Sequence, residues 1–401
     1  MSGLSLEVLT SVANVSADSW NALRRDDYPF FRHDFLLGLE RSDCTNEETG
    51  WQPAHLCLRD SSGEASDDDE SILAIVPAFL KSHSYGEYVF DWAWADAWNR
   101  MGLSYYPKMV TAAPFTPATG ARMLHRETLD RDDLWRTFSE QLPELATRLK
   151  ISGWHVLFPR RGDAVALENA GLHMRHQVQF HWYNHGYQCF DDFLSSFSSR
   201  KRKALRRERR RVEEQNIDID MRSGLELTEE DWLAFYRFYQ FTYAKRSGHG
   251  GYLTREFFLD VAPQLGEQVL MATARHNEKP VAGALYFRDE DTLYGRYWGC
   301  SREFDCLHFE ACYYQGIEYC IANGLSRFDP GAQGEHKIGR GFEPTTTLSA
   351  HWITQTDLDD AIRDFTRREQ MQVESYRRAA SDLLPFKQGF LCAESQPEIP
   401  F

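Results

Sequence analysis

The sequence lacks the features that would anchor a chain in a membrane or build a metal centre. Among its 401 residues, no apolar run reaches the roughly 18 residues that a membrane-spanning helix needs. It does not open with a basic segment followed by an apolar one, so we expect no secretory signal, no integral membrane association and a cytoplasmic location. The eight cysteines show no CxxC spacing, and we expect reduced, mostly buried thiols. One helix cannot place Cys306, His308 and Cys312 around a tetrahedral ion, so we expect no metal site.

Positive charge is also scarce, except in one stretch. The formal net charge of −15 argues against a general nucleic-acid binder. Residues 200–211 hold nine basic side chains and one acidic one, so the other residues together carry a charge of −23. A basic locus in so acidic a protein concentrates anionic ligands around it.

The basic stretch has the spacing of an amphipathic helix. Leu205 and Val212 fall on one face and can hold the helix against a core. Another face carries three arginines whose guanidinium groups can bind phosphate in a bidentate way: Arg202, Arg206 and Arg209. We therefore predict a phosphate-binding helix at 200–211. The alternative is a solvated helix that the acidic remainder of the chain neutralises.

Residues 267–344 begin with short apolar runs separated by turn residues. The runs at 268–275, 281–288 and 293–300 predict an antiparallel hairpin and meander.

A helix and a further strand are predicted next. Apolar residues recur at helical spacing from Phe309 to Ile321, where Asp305 can cap the helix and Gly324 can end it. A short strand at 326–329 follows. Three antiparallel strands, a helix and one more strand resemble the core of a GNAT-type acyltransferase domain.

Two motifs close this part of the sequence. The first is Phe328-Asp329-Pro330-Gly331, and the second is Lys337-Ile338-Gly339-Arg340-Gly341-Phe342. They resemble the Phe/Tyr-Asp-x-Gly strand end and the Phe-Lys-x-Gly-Phe-Gly segment of the Fem family of aminoacyltransferases. The second match departs from the family, because its lysine falls on Gly339 when the segments are aligned on Gly341-Phe342.

Further segments extend the resemblance to most of the chain. The bacterial FemAB-like predicted N-acyltransferases have segments similar to Pro114-Phe115-Thr116-Pro117, Gly299-Cys300-Ser301, His308-Phe309-Glu310-Ala311 and Gly334-Glu335-His336-Lys337. This resemblance implies an α+β (mixed α/β) fold of two tandem GNAT-like domains, each a twisted, mostly antiparallel sheet flanked by helices. A completed strand at 178–183 and a new helix from residue 191 place the expected domains at 1–186 and 187–401.

The same resemblance implies a reaction. It implies transfer of an acyl or aminoacyl group from aminoacyl-tRNA or acyl-CoA, without a permanently bound cofactor. The acceptor would be the amine of a small molecule, a peptide or a peptidoglycan precursor. The turn at 301–306 has no glycine for the usual coenzyme A pyrophosphate loop, which favours aminoacyl-tRNA in the second domain or a cofactor in the first. The rival hypothesis is a non-catalytic GNAT-fold protein that binds an anionic, phosphate-bearing ligand.

Four residues are candidates for the proton transfer and charge stabilisation that N-acyl transfer needs: His308, Glu310, Asp329 and Lys337. The first two fall in the first turn of the predicted helix, where they can face a cleft or only cap the helix. Asp329 ends a strand, where it can act on a substrate or only shape the turn. Lys337 and Arg340 can stabilise developing negative charge. A Cys300 acyl-enzyme is the alternative, but the sequence shows no Cys-His motif for it.

The candidates for substrate binding include Arg340 and one residue of a predicted lid. Arg246 lies in a glycine-rich loop at 245–251 that can act as a flexible lid.

Two further candidate binding regions lie in the first half of the chain. Residues 91–98 combine three tryptophans with two aspartates, so Asp91, Trp94 and Asp96 can form a stacking pocket for an amine or a sugar hydroxyl. The alternative is that the tryptophans are core and the aspartates cap turns. Gly120 lies in a turn expected before a helix, where free backbone N–H groups can bind an anion.

Overall fold

The chain folds into two compact units. The structure, a computed structural model, describes residues 3–61, 69–332 and 334–390. The first unit holds the residues up to Gln177 together with Thr346–Glu374, and the second holds Val178–Thr345 together with residues from Ser375 onwards. In the described residues, no helix is both long enough and apolar enough to cross a membrane.

Strands and helices are interspersed along the described residues. The strands are β1 (Leu4–Leu9), β2 (Trp51–Pro53), β3 (His55–Asp60), β4 (Ile72–Val76), β5 (Phe79–Lys81), β6 (Lys108–Thr111), β7 (Leu124–His125), β8 (Gly153–Leu157), β9 (His173–Tyr183), β10 (Ile217–Ser223), β11 (Val269–His276), β12 (Lys279–Arg288), β13 (Thr292–Cys300), β14 (Arg327–Asp329) and β15 (Glu343–Ile353). The helices are α1 (Ala17–Ala22), α2 (His33–Arg41), α3 (Trp92–Arg100), α4 (Arg131–Glu140), α5 (Leu142–Leu149), α6 (Arg161–Asn169), α7 (Phe190–Ser195), α8 (Ser199–Glu214), α9 (Glu229–Ser247), α10 (Leu307–Phe309), α11 (Gln315–Ala322) and α12 (Asp359–Ser381).

The boundaries between the units fall inside two strands and one helix rather than in linkers, since Glu374 lies within α12. Gln177 lies within β9, and Thr346 lies within β15. The division at 1–186 and 187–401 stays a prediction about independent domains, whereas the compact units place Thr346–Glu374 with the first half of the chain. The physical reason is strand pairing, because β15 pairs antiparallel with β8 from Ser349 to Ile353.

The first unit contains two sheets. One has the strand order β1-β3-β4-β7, with antiparallel neighbours throughout. In the other, β15, β8, β6, β5 and β2 are successive neighbours, and only β6 and β8 run parallel. Fully buried Trp135, Phe138 and Trp154 belong to the apolar core of this unit.

The second unit is built on one mostly antiparallel sheet with the strand order β10-β11-β12-β13-β14-β9. Only β13 and β14 run parallel. Their pairing links Thr292 with Arg327 and ends where Tyr294 meets Asp329, whereas β13 continues to Cys300. The sheet therefore opens beside β13 just after Asp329. The three strands and the mixed α/β fold predicted for this part of the sequence are confirmed.

The main helix of the second unit begins later than predicted. α10, a π-helical turn at Glu310–Tyr314 and α11 form one helical run. Asp305 does not cap it, because the residue before the helix is Cys306 in a left-handed conformation, and Asp305 instead binds Arg211 at 2.7 Å. Such π-helical turns are often found at functional sites.

Gly299→Ala should destabilise the second unit by about 1–3 kcal/mol, because the new methyl group would overpack the contact between β13 and α9. An added Cβ would lie 2.2 Å from the backbone carbon of Phe238 and 2.5 Å from the backbone nitrogen of Tyr239. Urea unfolding measures the effect. Gly250→Ala is the control, since its Cβ would meet nothing closer than 4.0 Å. Equal stabilities of the two variants would contradict this prediction.

Candidate functional site

Lys337 places a buried ammonium group beside the end of β14. The residue is 2% exposed, and its Nζ donates to the carbonyl oxygen of Gly331 at 2.6 Å. Burial lowers the pKa of Lys337 to about 8; the carboxylate of Asp329 opposes this shift, and the charge of Arg296 adds to it. Lys337 is therefore mostly charged at neutral pH but can lose its proton in mildly basic solution.

Asp329 brings a carboxylate to the same place. It is 2% exposed, and its Oδ1 accepts the backbone N–H of Gly331 at 2.9 Å. Its Oδ2 has no hydrogen-bond partner among the described residues. A buried carboxylate oxygen in this state is costly unless water or a ligand donates to it. Oδ2 of Asp329 can thus accept a hydrogen bond from water or a ligand at the opening of the sheet.

His181 lies beside this carboxylate on β9. Its Nε2 is 3.6 Å from Oδ1 of Asp329 and pairs at 3.1 Å with Oε1 of Gln179. Burial lowers the pKa of His181 to about 4, although the charge of Asp329 opposes the shift. The ring is therefore neutral at pH 7 and leaves the negative charge of Asp329 uncompensated on this side.

Gly331 lets the chain turn back from β14 and carry Lys337 to the opening. Its φ of +84° is in the left-handed region that favours glycine. An added Cβ would also lie 3.1 Å from the guanidinium of Arg296 and 3.3 Å from the carbonyl oxygen of Gly295. The turn therefore needs glycine both for its backbone conformation and for its close approach to β13.

His308 lies in a group of aromatic rings in this unit. Its ring packs edge-on against those of Trp298 and Tyr313, with centroid distances of 5.4 and 5.5 Å. The hydroxyl of Tyr313 is 2.8 Å from Nε2 of His336, whose ring centroid is 6.4 Å from that of His308.

Positive charges surround His308. Burial lowers its pKa to about 4, and the charges of Arg246, His336, Arg340 and Lys337 lower it further. The imidazole is therefore neutral at pH 7. Lys337 and Asp329 both bind the backbone of Gly331, and the ring of His308 lies near that of His336, the residue before Lys337. Three of the four predicted catalytic residues thus belong to one part of the second unit, and their catalytic roles stay a prediction.

Glu310 does not join this group. Its two carboxylate oxygens accept hydrogen bonds from Arg209 at 2.9 and 3.1 Å, and Gln315 also donates to it at 2.9 Å. Two residues along a helix turn the side chain by about 200°, so His308 and Glu310 face different directions. The structure therefore does not support the expectation that Glu310 shares a cleft with His308 and carries a proton there.

Arg340 is also engaged by the protein itself. Its guanidinium binds Glu208 at 2.8 Å and lies 3.4 Å from the ring centroid of Phe309. It is 9% exposed. A substrate-binding role for Arg340 would require it to leave these partners.

Arg246 is an exposed cation near the end of α9. The predicted loop at 245–251 is partly helical, because α9 continues to Ser247 and ends at Gly248 with a φ of 73°. Arg246 is exposed, and its charge acts on His308 and Cys312. It stays a candidate for substrate binding.

The basic stretch forms α8, whose inner residues Leu205 and Val212 are buried as predicted. The three arginines expected to bind phosphate are divided among different partners. Arg209 is bound by Glu310 and Glu318, and exposed Arg206 is bound by Asp191 at 2.9 Å. Arg202 is half-buried and has no ion-pair partner in the part of the chain that is described. Phosphate binding by Arg202 and Arg206 stays a prediction.

The outer face of α8 carries a row of exposed cations, here named the cationic stripe: Arg200, Lys203, Arg207 and Arg210. Their spacing of three and four residues places them on one helix face, along about 15 Å of its length. None has a carboxylate partner among the described residues. Of the predicted trio, only Arg202 is likewise without an ion-pair partner among the described residues.

In the first unit, the predicted pocket at Asp91, Trp94 and Asp96 does not form. The buried carboxylate of Asp91 binds Lys108 and accepts the hydroxyl of Tyr105 at 2.7 Å. The buried ring of Trp94 packs on His351 at a centroid distance of 5.0 Å, whereas Asp96 is exposed. Asp96 follows Trp94 by two residues, so α3 turns it about 200° away from that ring.

Asp91 belongs instead to a buried ionic cluster on one face of the sheet. Lys108, 0% exposed, donates to Glu87 at 2.7 Å and to Ser84 at 2.8 Å as well as to Asp91. Burial raises the pKa of Glu87 to about 7, although the charge of Lys108 opposes the shift. One carboxylate oxygen each of Glu87 and Asp91, and Nε1 of Trp94, have no partner among the described residues.

Gly120 offers no free N–H group to an anion. Its N–H donates to the carbonyl oxygen of Phe158 at 3.2 Å, and the residues after it lead to β7 rather than to a helix. An added Cβ would lie 2.4 Å from the ring of Tyr28. The glycine is therefore required for close packing, which corrects the predicted anion-binding turn.

Several residues around the opening were not found from the sequence: His181, Glu208, Arg296, Tyr313 and His336. They come from distant segments, so spacing gives no sign that they meet. Glu208 offered a signal as the single acid among nine bases, and His336 lies in one of the segments that resemble the FemAB-like family. Within the described ranges, no group of three or more His, Cys, Asp or Glu side chains is arranged to hold a metal ion.

The sequence matches one family model, and the chain is similar to several solved structures. A family model described as FemAB-like, peptidoglycan biosynthesis/recognition, matches residues 11–388. No curated protein matches the sequence. Among solved structures, FemX is similar with a TM-score of 0.50 and 11% identity over 90% of this chain and 100% of that chain. L-PGS from Bacillus licheniformis has a TM-score of 0.46 and 12% identity over 74% and 85% of the two chains. A tandem GNAT protein from the clavulanic acid biosynthesis pathway has a TM-score of 0.43 and 10% identity over 88% and 99%.

Proposed function

Because the chain belongs to the FemAB-like family of peptidoglycan biosynthesis and recognition, we propose that it transfers an acyl or aminoacyl group to an amine at the opening of the second unit. The observation that carries this proposal is that Lys337 and Asp329 both bind the backbone of Gly331, just after β14 ends. A buried ammonium group and a buried carboxylate oxygen without a partner among the described residues therefore lie near the point where β13 continues beyond β14. We expect backbone groups of β13 to reach a substrate there.

The two side chains have complementary tasks. The acceptor nitrogen attacks the carbonyl carbon of the donor, forming the new C–N bond and placing negative charge on the carbonyl oxygen. The ammonium group of Lys337 stabilises that charge. Oδ2 of Asp329 takes the proton that the nitrogen loses and returns it to the leaving oxygen or sulfur as the old C–O or C–S bond breaks. His308, neutral among aromatic rings, orients the acyl group beside Lys337.

Both proposed acyl donors carry phosphate. Aminoacyl-tRNA has a phosphodiester backbone, and acyl-CoA has a pyrophosphate. Exposed Arg246 and the cationic stripe provide positive charge in the same unit for such a co-substrate. The acceptor is the amine of a peptide or of a peptidoglycan precursor, and use of either donor suits a cytoplasmic protein.

The proposal is tested by offering the purified protein labelled aminoacyl-tRNA and labelled acyl-CoA in parallel, each with peptide and precursor amines. Mass spectrometry should detect a new amide with one donor class. Binding of these compounds without any amide product would support the rival hypothesis of a non-catalytic protein that holds an anionic ligand.

The rate should fall as pH rises above about 8, by close to tenfold per pH unit, because Lys337 acts in its charged form. Hydroxylamine is a suitable acceptor, since its nitrogen is neutral across this range. Lys337→Arg keeps its charge and should lose the decline. The pKa of Lys337 in the folded protein is below its unfolded value of 10.5, so the contribution of Lys337 to stability rises with pH over the same interval. Deprotonation of Lys337 therefore cannot lower the rate by unfolding the protein. A rate that increases through pH 8 would exclude the charged form.

A further inference from the structure

We infer that Glu208, on the basic helix, is a positioning residue that fixes the loop carrying Lys337 by holding Arg340. This inference rests on the proposed function of Lys337. It assigns to α8 a role in the site that does not depend on phosphate binding.

Both carboxylate oxygens of Glu208 accept hydrogen bonds from Arg340. Nη2 of Arg340 donates to them at 2.8 and 2.9 Å, and the hydroxyl of Tyr314 also donates to Glu208. Nε of Arg340 donates in turn to that hydroxyl at 3.1 Å. Together, the two carboxylate oxygens of Glu208 and the hydroxyl of Tyr314 hold the guanidinium group in one orientation. The side chain of Arg340 is only 10% exposed, so solvent screens this pair weakly.

Arg340 passes this constraint to the loop. Its Nη1 donates to the carbonyl oxygen of His336 at 2.7 Å, which is the carbonyl of the peptide bond that leads into Lys337. The same loop is also held at other points. The N–H of Lys337 donates to the carbonyl oxygen of Gly334 at 3.0 Å, the N–H of Phe342 donates to the carbonyl oxygen of Lys337 at 3.3 Å, and the hydroxyl of Tyr376 donates to Glu335 at 2.7 Å. Fixing the His336 carbonyl therefore fixes the start of the Lys337 side chain.

The fold of α8 does not depend on Glu208. Leu205 and Val212 already bury the inner face of the helix, and Arg209 is tied separately to Glu310 and Glu318. Loss of Glu208 should therefore leave the helix in place and release Arg340 together with the hydroxyl of Tyr314. This separation is what makes a positioning role distinguishable from a structural one.

Glu208→Ala is expected to lower kcat by about 10-fold to 100-fold with little change in KM, because a loosened loop misplaces Lys337 without removing it. Water would also reach Lys337, so the midpoint of its reaction with acetic anhydride should move upward by at least about half a pH unit. Peptide mass spectrometry follows the labelling of Lys337 directly. Glu208→Gln, which keeps the hydrogen-bond acceptor but not the charge, should show intermediate values, and it replaces the alanine variant should that variant fail to fold.

Arg211→Ala is the matched control. It breaks an exposed ion pair of the same helix, with Asp305 at 2.7 Å, and should change neither rate nor labelling. An unchanged labelling midpoint in both Glu208 variants would overturn the inference. The labelling does not require turnover, so it still decides the role of Glu208 if no donor gives a product and the proposed function fails.

Discussion

Replacing Lys337 with methionine should lower kcat for acyl transfer by about 100-fold to 1000-fold, the loss expected when one donor to a developing oxyanion is removed. Methionine matches the lysine stem in length and lacks the ammonium group, with its charge and its hydrogen bond to the carbonyl oxygen of Gly331. The melting temperature should stay the same or rise, because burial of the ammonium group is unfavourable, as the lowered pKa of Lys337 shows. Steady-state assays with labelled donor and thermal unfolding measure the two effects.

The control for this prediction is Lys279→Met, since Lys279 is exposed at the start of β12. It should retain full activity. Full activity in Lys337→Met would remove this lysine from the reaction, and a large fall in melting temperature would reassign it to stability.

Replacing Lys108 with methionine should destabilise the first unit by about 3–5 kcal/mol at pH 7, because the change leaves uncompensated carboxylates in the interior. Glu87 and Asp91 are each 3% exposed, and Lys108 is the cation that binds both. Urea unfolding followed by tryptophan fluorescence reports on this region through Trp94 and Trp98.

Two further measurements separate charge from packing. Adding Glu87→Gln to Lys108→Met should recover part of the loss, whereas Lys150→Met, at an exposed position, should be nearly neutral. The loss of unfolding free energy caused by Lys108→Met should also become smaller as pH falls from about 7 to 5. Carboxylates without their cation have raised pKa values in the folded protein, so their protonation stabilises the fold. A deficit independent of pH would mean that lost packing, not charge, causes it.

The fold was largely accessible from the sequence. The strands β11 to β13 and the burial of Leu205 and Val212 follow from periodicity and turn residues, whereas the mixed α/β class was implied by the family resemblance. The placement of Thr346–Glu374 could not be found this way, since pairing of β15 with β8 joins residues nearly two hundred positions apart.

The site was only partly accessible. Strand-end position and a glycine turn indicated Asp329 and Lys337, which the structure brings together. Glu310 and Arg209 were interpreted as separate functional groups because their mutual ion pair depends on tertiary contact. The sequence also could not show that Asp91 is engaged by Lys108 rather than exposed to a ligand.

The cationic stripe has a consequence for the distance at which the protein can attract a ligand. At physiological ionic strength, charges are screened over about 8 Å, which is shorter than the length of the stripe itself. Beyond that distance a ligand meets mainly the acidic remainder of the chain, which carries −23. Long-range electrostatic steering therefore contributes little. We expect the stripe to act at contact instead, where it should favour molecules that present several phosphates in a row over single small anions.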